Sequence, residues 1–123
     1  MGLFVFGTLL DPVTRGRVLG RPLRVSETVP ALLEGCERVQ GRGRHYPVLI
    51  RDPGGIVDGL LLIKLSARER ARLKTYEGSE YRLARVRVRA LCKGEPLVWT
   101  NVFMARGLGA TKRPWVPMGH RSR

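Results

Sequence analysis

Leu3-Phe4-Val5-Phe6-Gly7-Thr8-Leu9 is a short apolar run that stops abruptly at a glycine and a threonine. Apolar character at Leu3 to Phe6 without alternation is the pattern of a strand covered on both faces, and the Gly7-Thr8 pair ends it in a tight turn. Asp11 and Pro12 follow as an N-cap and an N1 proline, and Gly20 suits the position after a last helical turn. Residues 12–19 are therefore predicted to form a short helix, weakened by Gly16.

Working outward, Ser66-Ala67-Arg68-Glu69 is a capping box, so a helix is expected to start at Ala67 and to end near Tyr76, with Gly78 as its stop. Arg82 to Leu91 then alternates, Ala84, Val86, Val88 and Ala90 on a core face against Arg85, Arg87 and Arg89 on a solvent face. Thr28 to Val39 reads as a strand that Pro30 starts at an edge. Gln40 to His45 is a Gly- and Arg-rich loop. Tyr46 to Ile50 is a short strand, Asp52-Pro53-Gly54-Gly55 a turn, and Ile56 to Leu65 the returning central strand, in which Gly59 allows a bulge or a close backbone approach. Leu97 to Met104 is the last strand. The sum is an α+β domain, a small mixed and strongly curved sheet or β-barrel with two short flanking helices, over residues 1–104. A basic Gly/Pro-containing tail, loop or disordered, is expected over 105–123.

At 123 residues the chain is one domain, and 43% hydrophobic residues supply its core. The 23 Lys and Arg against 10 Asp and Glu give +13, an attraction for anions; because 19 of those bases are Arg scattered along the whole length, no recognition segment stands out. Cys36 and Cys92 lie 56 positions apart without a CxxC, and His45 and His120 are far from both, so no metal site and no cofactor is expected. Both cysteines read as small core residues, Glu80 as surface and His45 as solvated. A first strand without a signal-type flank, and no run near 18 apolar residues, lead to the expectation of a cytoplasmic protein with reduced thiols and no membrane partner.

The order of Phe6-Gly7-Thr8-Leu9, Tyr46-Pro47, Val57-Asp58-Gly59, the capping box, and Tyr76-Glu77-Gly78-Ser79-Glu80-Tyr81 resembles the γ-glutamylcyclotransferase-like superfamily, its AIG2-like branch most closely, from Leu3 to about Asn101. The resemblance implies a small mixed β-barrel with one open-ended cavity. It also implies an enzyme that cyclises a γ-glutamyl group, releasing 5-oxoproline and an amine, amino acid or peptide. By the same resemblance Phe6 to Leu9 would bind the glutamyl moiety, Glu77 would be the proton acceptor, and Tyr46 and Tyr81 would line the cavity. Where that family carries Tyr, this chain has Phe6, which keeps the ring and loses the hydroxyl.

The chemistry needs such groups. A tethered α-amine attacks its own γ-carbonyl, an arrangement with effective molarities of about 10⁵–10⁸ M. The protein need only fold the substrate, remove a proton and stabilise an oxyanion. Burial and a helix C-terminus would raise the pKa of Glu77, and nearby arginines would lower it. Backbone N–H groups of the Gly7-Thr8-Leu9 turn suit a carboxylate or an oxyanion. Taken singly, Glu77 is a solvated turn residue, Gly7-Thr8 a strand-ending turn, and Tyr46 and Tyr81 core aromatics; five motifs in register turn the balance. The expected partner is a small γ-glutamyl molecule. The alternative is an inactive relative that binds nucleic acid or another polyanion through Arg85, Arg87, Arg89 and the tail.

Overall fold

The computed structural model describes residues 2–41, 47–105 and 110–114. Strand β1 (Gly2–Val5) runs into a 3₁₀ turn at Thr8–Leu10, followed by helix α1 (Pro12–Leu19). After a second short turn come β2 (Thr28–Gly41), β3 (Pro47–Leu62), helix α2 (Ala67–Glu77), β4 (Tyr81–Ala90), β5 (Leu97–Ala105) and β6 (Ala110–Pro114). The strands lie in the order β3-β1-β5-β4-β2, and β2 pairs again with β3, so five strands close into a mixed barrel that β6 extends at β2. Among the described strands only β1 and β5 run parallel; the expected α+β class, barrel and two helices are what the chain forms.

Alternation sorts the core into two layers. Phe4, Phe6, Ala31, Leu33, Val57, Leu61, Val88 and Val102 pack together inside the barrel. The opposite parity, Leu3, Val5, Leu62, Tyr81 and Phe103, meets Leu9, Leu19 and Leu73 from the turn and helices. A first strand covered on both faces is the consequence. Gly59 is the close approach expected of it: a Cβ there would collide with the Val5 carbonyl and come within 2.6 Å of Phe4 Cζ.

Several expectations need correction. The Asp52-Pro53-Gly54-Gly55 segment does not reverse the chain; β3 runs through it, and the hairpin is formed by β2 with β3. The register jumps from Glu34↔Ile56 to Cys36↔Arg51, leaving these four residues opposite Gly35. The Asp52 carboxylate still accepts the Gly54 N–H at 3.2 Å, so the turn chemistry is spent on a bulge. Pro30 does not mark an edge, because β2 is paired on both sides; its carbonyl accepts the Leu91 N–H at 2.8 Å where the β2–β4 pairing ends, a place where the missing N–H matters least. Within the supposed loop tail, β6 pairs antiparallel with β2, Val39↔Pro114 and Gly41↔Ala110, because β4 leaves that stretch of β2 unpaired. Cys92 is exposed rather than in the core, and Cys36 is half-buried; both thiols are free. Glu80 is half-buried, and His45 lies outside the described residues. Among the described residues no helix is long and apolar enough to cross a membrane.

An arginine ties the segment after α1 to α2. Arg21, just past α1, holds Glu27 at 2.9 Å and Glu69 of the α2 capping box at 2.6 Å. The guanidinium pulls Glu27 down to about 2 and lowers Glu69 as well. Carboxylates depressed on folding contribute stability above about pH 4.5 that is lost as the pH falls toward 2. Arg21→Ala is accordingly expected to lower the melting temperature at pH 7 and to bring the wild-type and variant curves together near pH 2, read by a thermal-melt series. A constant gap across pH would rule out this linkage.

Candidate active site

Where β1 ends, the backbone turns under the mouth of the barrel. Gly7 caps the 3₁₀ turn, and its carbonyl accepts the Leu10 N–H at 2.9 Å. A side chain at Gly7 would lie 2.9 Å from Pro47 Cγ, so the turn can sit against the start of β3 only with hydrogen at this position. The N–H groups of Gly7, Thr8 and Leu9 find no acceptor among the described residues.

Two arginines hold this turn from behind. Buried Arg15 of α1 donates Nη1 to the carbonyls of Leu9, 3.1 Å away, and Leu10, 3.3 Å away. It has no carboxylate partner among the described residues, its Nε is unpartnered, and burial pushes its pKa below the usual guanidinium value. Arg38 of β2 donates to the Phe6 carbonyl at 2.8 Å and pairs with Asp58 at 2.7 Å.

On the opposite wall, α2 stops at Gly78, whose φ of 90° is the conformation glycine supplies. Its last residue, Glu77, is turned inward and half-buried, with no hydrogen-bond or ion-pair partner among the described residues. Burial raises its pKa to about 7, and no arginine among the described residues offsets it.

These pieces meet in one narrow cavity of about 30 Å³, lined by Phe4, Phe6, Gly7, Thr8, Pro47, Glu77 and Tyr81 among others. That is room for about two waters or one small polar group. A wider hollow of about 270 Å³, lined by Thr8, Tyr76, Glu77 and Tyr81, shares three of those residues and forms a vestibule. Thr8 Oγ1 and the Tyr76 hydroxyl, 2.9 Å apart, join its two sides.

Of the residues singled out from sequence, Phe6, Gly7, Thr8, Leu9, Glu77 and Tyr81 are thus brought together; Tyr46 lies outside the described residues. Phe6 serves as a wall, stacked on Phe4 with ring centroids 6.4 Å apart. Sequence reasoning missed Tyr76, Arg15 and Arg38. The first was legible, sitting inside the Tyr76-Glu77-Gly78 motif; the arginines were hidden among 19 alike.

A closed mixed barrel of five strands with two flanking helices is the γ-glutamylcyclotransferase-like architecture. The chain belongs to the family described as Gamma-glutamyl cyclotransferase, AIG2-like, whose match covers residues 3–120, further than the motifs alone reached. It is 31% identical over 104 residues to Protein AIG2 C of Arabidopsis thaliana, covering 80% of this chain and 61% of that protein. With AIG2-like protein C of the same plant the identity is 34%, over 80% of this chain and 59% of that one. The chain therefore spans less than two thirds of these relatives. The solution structure of At3g28950.1 from Arabidopsis thaliana superposes with a TM-score of 0.72 at 27% identity, covering 85% of this chain and 61% of that chain. A structure named Gamma-glutamyl cyclotransferase shares the fold at 13% identity, with a TM-score of 0.62 over 89% of this chain and 69% of that one.

Proposed function

We propose that the protein is a γ-glutamyl cyclotransferase in which Glu77 is the proton acceptor. The observation that carries this reading is a carboxyl without a partner among the described residues, raised to about 7 by burial, sharing a cavity with the Gly7 to Leu9 turn. The cavity is too small for a whole glutamyl group, so one polar end enters it while the rest occupies the vestibule.

The α-ammonium of the substrate gives a proton to Glu77, and the freed amine attacks the γ-carbonyl. A C–N bond forms, closing a five-membered ring, and the amide oxygen becomes an oxyanion facing the turn amides. As the original C–N bond breaks, the leaving nitrogen takes that proton from Glu77, and the ring nitrogen passes its surplus proton to the regenerated carboxylate, which hands it on to the departed amine as an ammonium or to solvent. No water is consumed. Moving a proton from an ammonium of pKa near 8 to an ordinary carboxylate costs roughly 5 kcal/mol, and to a carboxylate near 7 only about 1 kcal/mol. Burial of Glu77 has thus brought the base toward its task.

The test is a panel of γ-glutamyl amines, amino acids and peptides assayed for 5-oxoproline by mass. The kcat/KM profile should rise with pH through about 7, the value of Glu77 in the free protein, and fall again where the substrate ammonium deprotonates. A flat profile between pH 5 and 8 would remove Glu77 from the role.

One arrangement favours a second reading. Trp99 on the outer face of the barrel is 54% exposed, with the guanidinium of Arg85 5.1 Å and that of Arg87 5.6 Å from its ring centre. A basic, aromatic-bearing sheet face suits a polyanion. Binding of an oligonucleotide that weakens with salt at a slope near −0.7 per phosphate contact on single strands would support this use.

A further inference from the structure

Resting on the cyclotransferase reading, we propose that the groove between α1 and α2 is a leaving-group subsite that selects γ-glutamyl conjugates whose departing amine is an acidic peptide. The groove holds about 620 Å³ and is lined by Arg17, Arg68, Arg72, Thr75, Tyr76 and the apolar Val18 and Ala71. Three cations line it and, among the described residues, no acid does.

Position connects it to the cavity. Tyr76 is a wall of both the groove and the vestibule. Arg68, Arg72 and Tyr76 follow one another at four-residue spacing, so they occupy one stripe of α2. From Tyr76 to Arg68 the stripe runs roughly 12 Å at 1.5 Å per residue, the reach of three to four extended residues at about 3.3–3.6 Å each. A chain leaving the scissile nitrogen beside Glu77 crosses Tyr76 and lies along this stripe.

The charges are available for such a chain. Arg17 and Arg68 make no hydrogen bond or ion pair among the described residues, in contrast to Arg21, which is committed to two carboxylates. Arg72 is half committed, one Nη1 donating to the Leu19 carbonyl at 2.8 Å, which holds its guanidinium across the end of α1. Uncommitted guanidinium groups along a peptide-length path fit carboxylates repeated at every residue or every second residue. A neutral alkylamine would leave them unused.

Two measurements decide it. The first compares kcat/KM for γ-glutamyl-Asp-Asp-Asp with that for γ-glutamyl-Ala-Ala-Ala amide, in the wild type and in the Arg17→Ala/Arg68→Ala double variant. The wild type should favour the acidic substrate at least tenfold, mainly through KM, and less at high salt. The double variant should lose that preference and process the neutral substrate as before. Equal turnover of both substrates by the wild type overturns the proposal. The second measurement titrates Asp-Asp-Asp, which lacks the γ-glutamyl head, into the protein and follows backbone amide resonances. Shifts at Arg17, Arg68, Arg72 and Thr75 that vanish in the double variant support the subsite; shifts confined to β4 and β5, or none, overturn it. Should no γ-glutamyl compound yield 5-oxoproline, the enzymatic reading falls, and this titration still decides whether the groove takes an acidic peptide.

Discussion

Glu77→Gln is expected to lower turnover by about 10²–10⁴, the range a positioned general base contributes, while making the folded protein more stable at neutral and alkaline pH. Two opposite effects from one substitution follow from the same fact. Burial, with no partner among the described residues, pushes the carboxyl up to about 7 in the folded chain, whereas the ordinary value that holds in the unfolded chain is about 4.3. Between those values the folded state holds the extra proton, so stability falls as the pH rises through that window and the full penalty is present above 7. The shift corresponds to roughly 3.5 kcal/mol at pH 8. Gln carries no charge to desolvate. Melting curves of the two proteins should coincide near pH 4 and separate by several degrees at pH 8, the variant higher. A variant less stable at pH 8 would mean that the carboxylate has a partner in solution, and the reading of Glu77 as a poised base would fail with it.

Gly59→Ala is expected to cost about 3 kcal/mol, the upper end for forcing a methyl into a packed interior. The added carbon would meet the Val5 carbonyl and, within 2.6 Å, Phe4 Cζ. The first is backbone of β1 and the second a ring fixed inside the barrel, so neither yields by a rotamer change. Gly54→Ala is the control, since nothing lies within 4 Å of a Cβ there, and it should change stability by less than about 1 kcal/mol. Urea denaturation separates the two. Equal midpoints would show that β1 and β3 can part freely. Activity should fall along with stability in Gly59→Ala, because the turn that follows β1 forms one wall of the cavity.

What was legible in the sequence is what short-range chemistry controls. The capping box at Ser66 to Glu69, the Asp11-Pro12 helix start and the alternation at Ala84 to Ala90 each act within a few residues, and each formed as read. Glu77 and the Gly7 turn were singled out by the family resemblance that five motifs in register carry; taken one at a time, each reads as an ordinary turn. The errors fell where a partner strand decided the outcome. Asp52 to Gly55 carries turn residues, but pairing of β2 with β3 on both sides of it keeps the chain going forward. Ala110 to Pro114 has no period of its own and becomes a strand because β2 has an unpaired stretch to offer. Which arginines would be buried was invisible, since Arg15 differs from its 18 counterparts only in where the helix points it. The balance at Glu77 between burial and neighbouring charge likewise needed three dimensions.

The buried Arg15 gives the turn something an ordinary loop lacks. Its guanidinium grips the Leu9 carbonyl, whose peptide plane also carries the Leu10 N–H; that N–H grips the Gly7 carbonyl, whose plane carries the Thr8 N–H on the cavity wall. Cation, first amide and second amide stand in series, and each link polarises the next by about 10–30%. Negative charge gathering at Thr8 during ring closure would therefore be answered by a fixed positive pole two peptide planes deep, held out of reach of mobile counter-ions and already oriented before any substrate arrives.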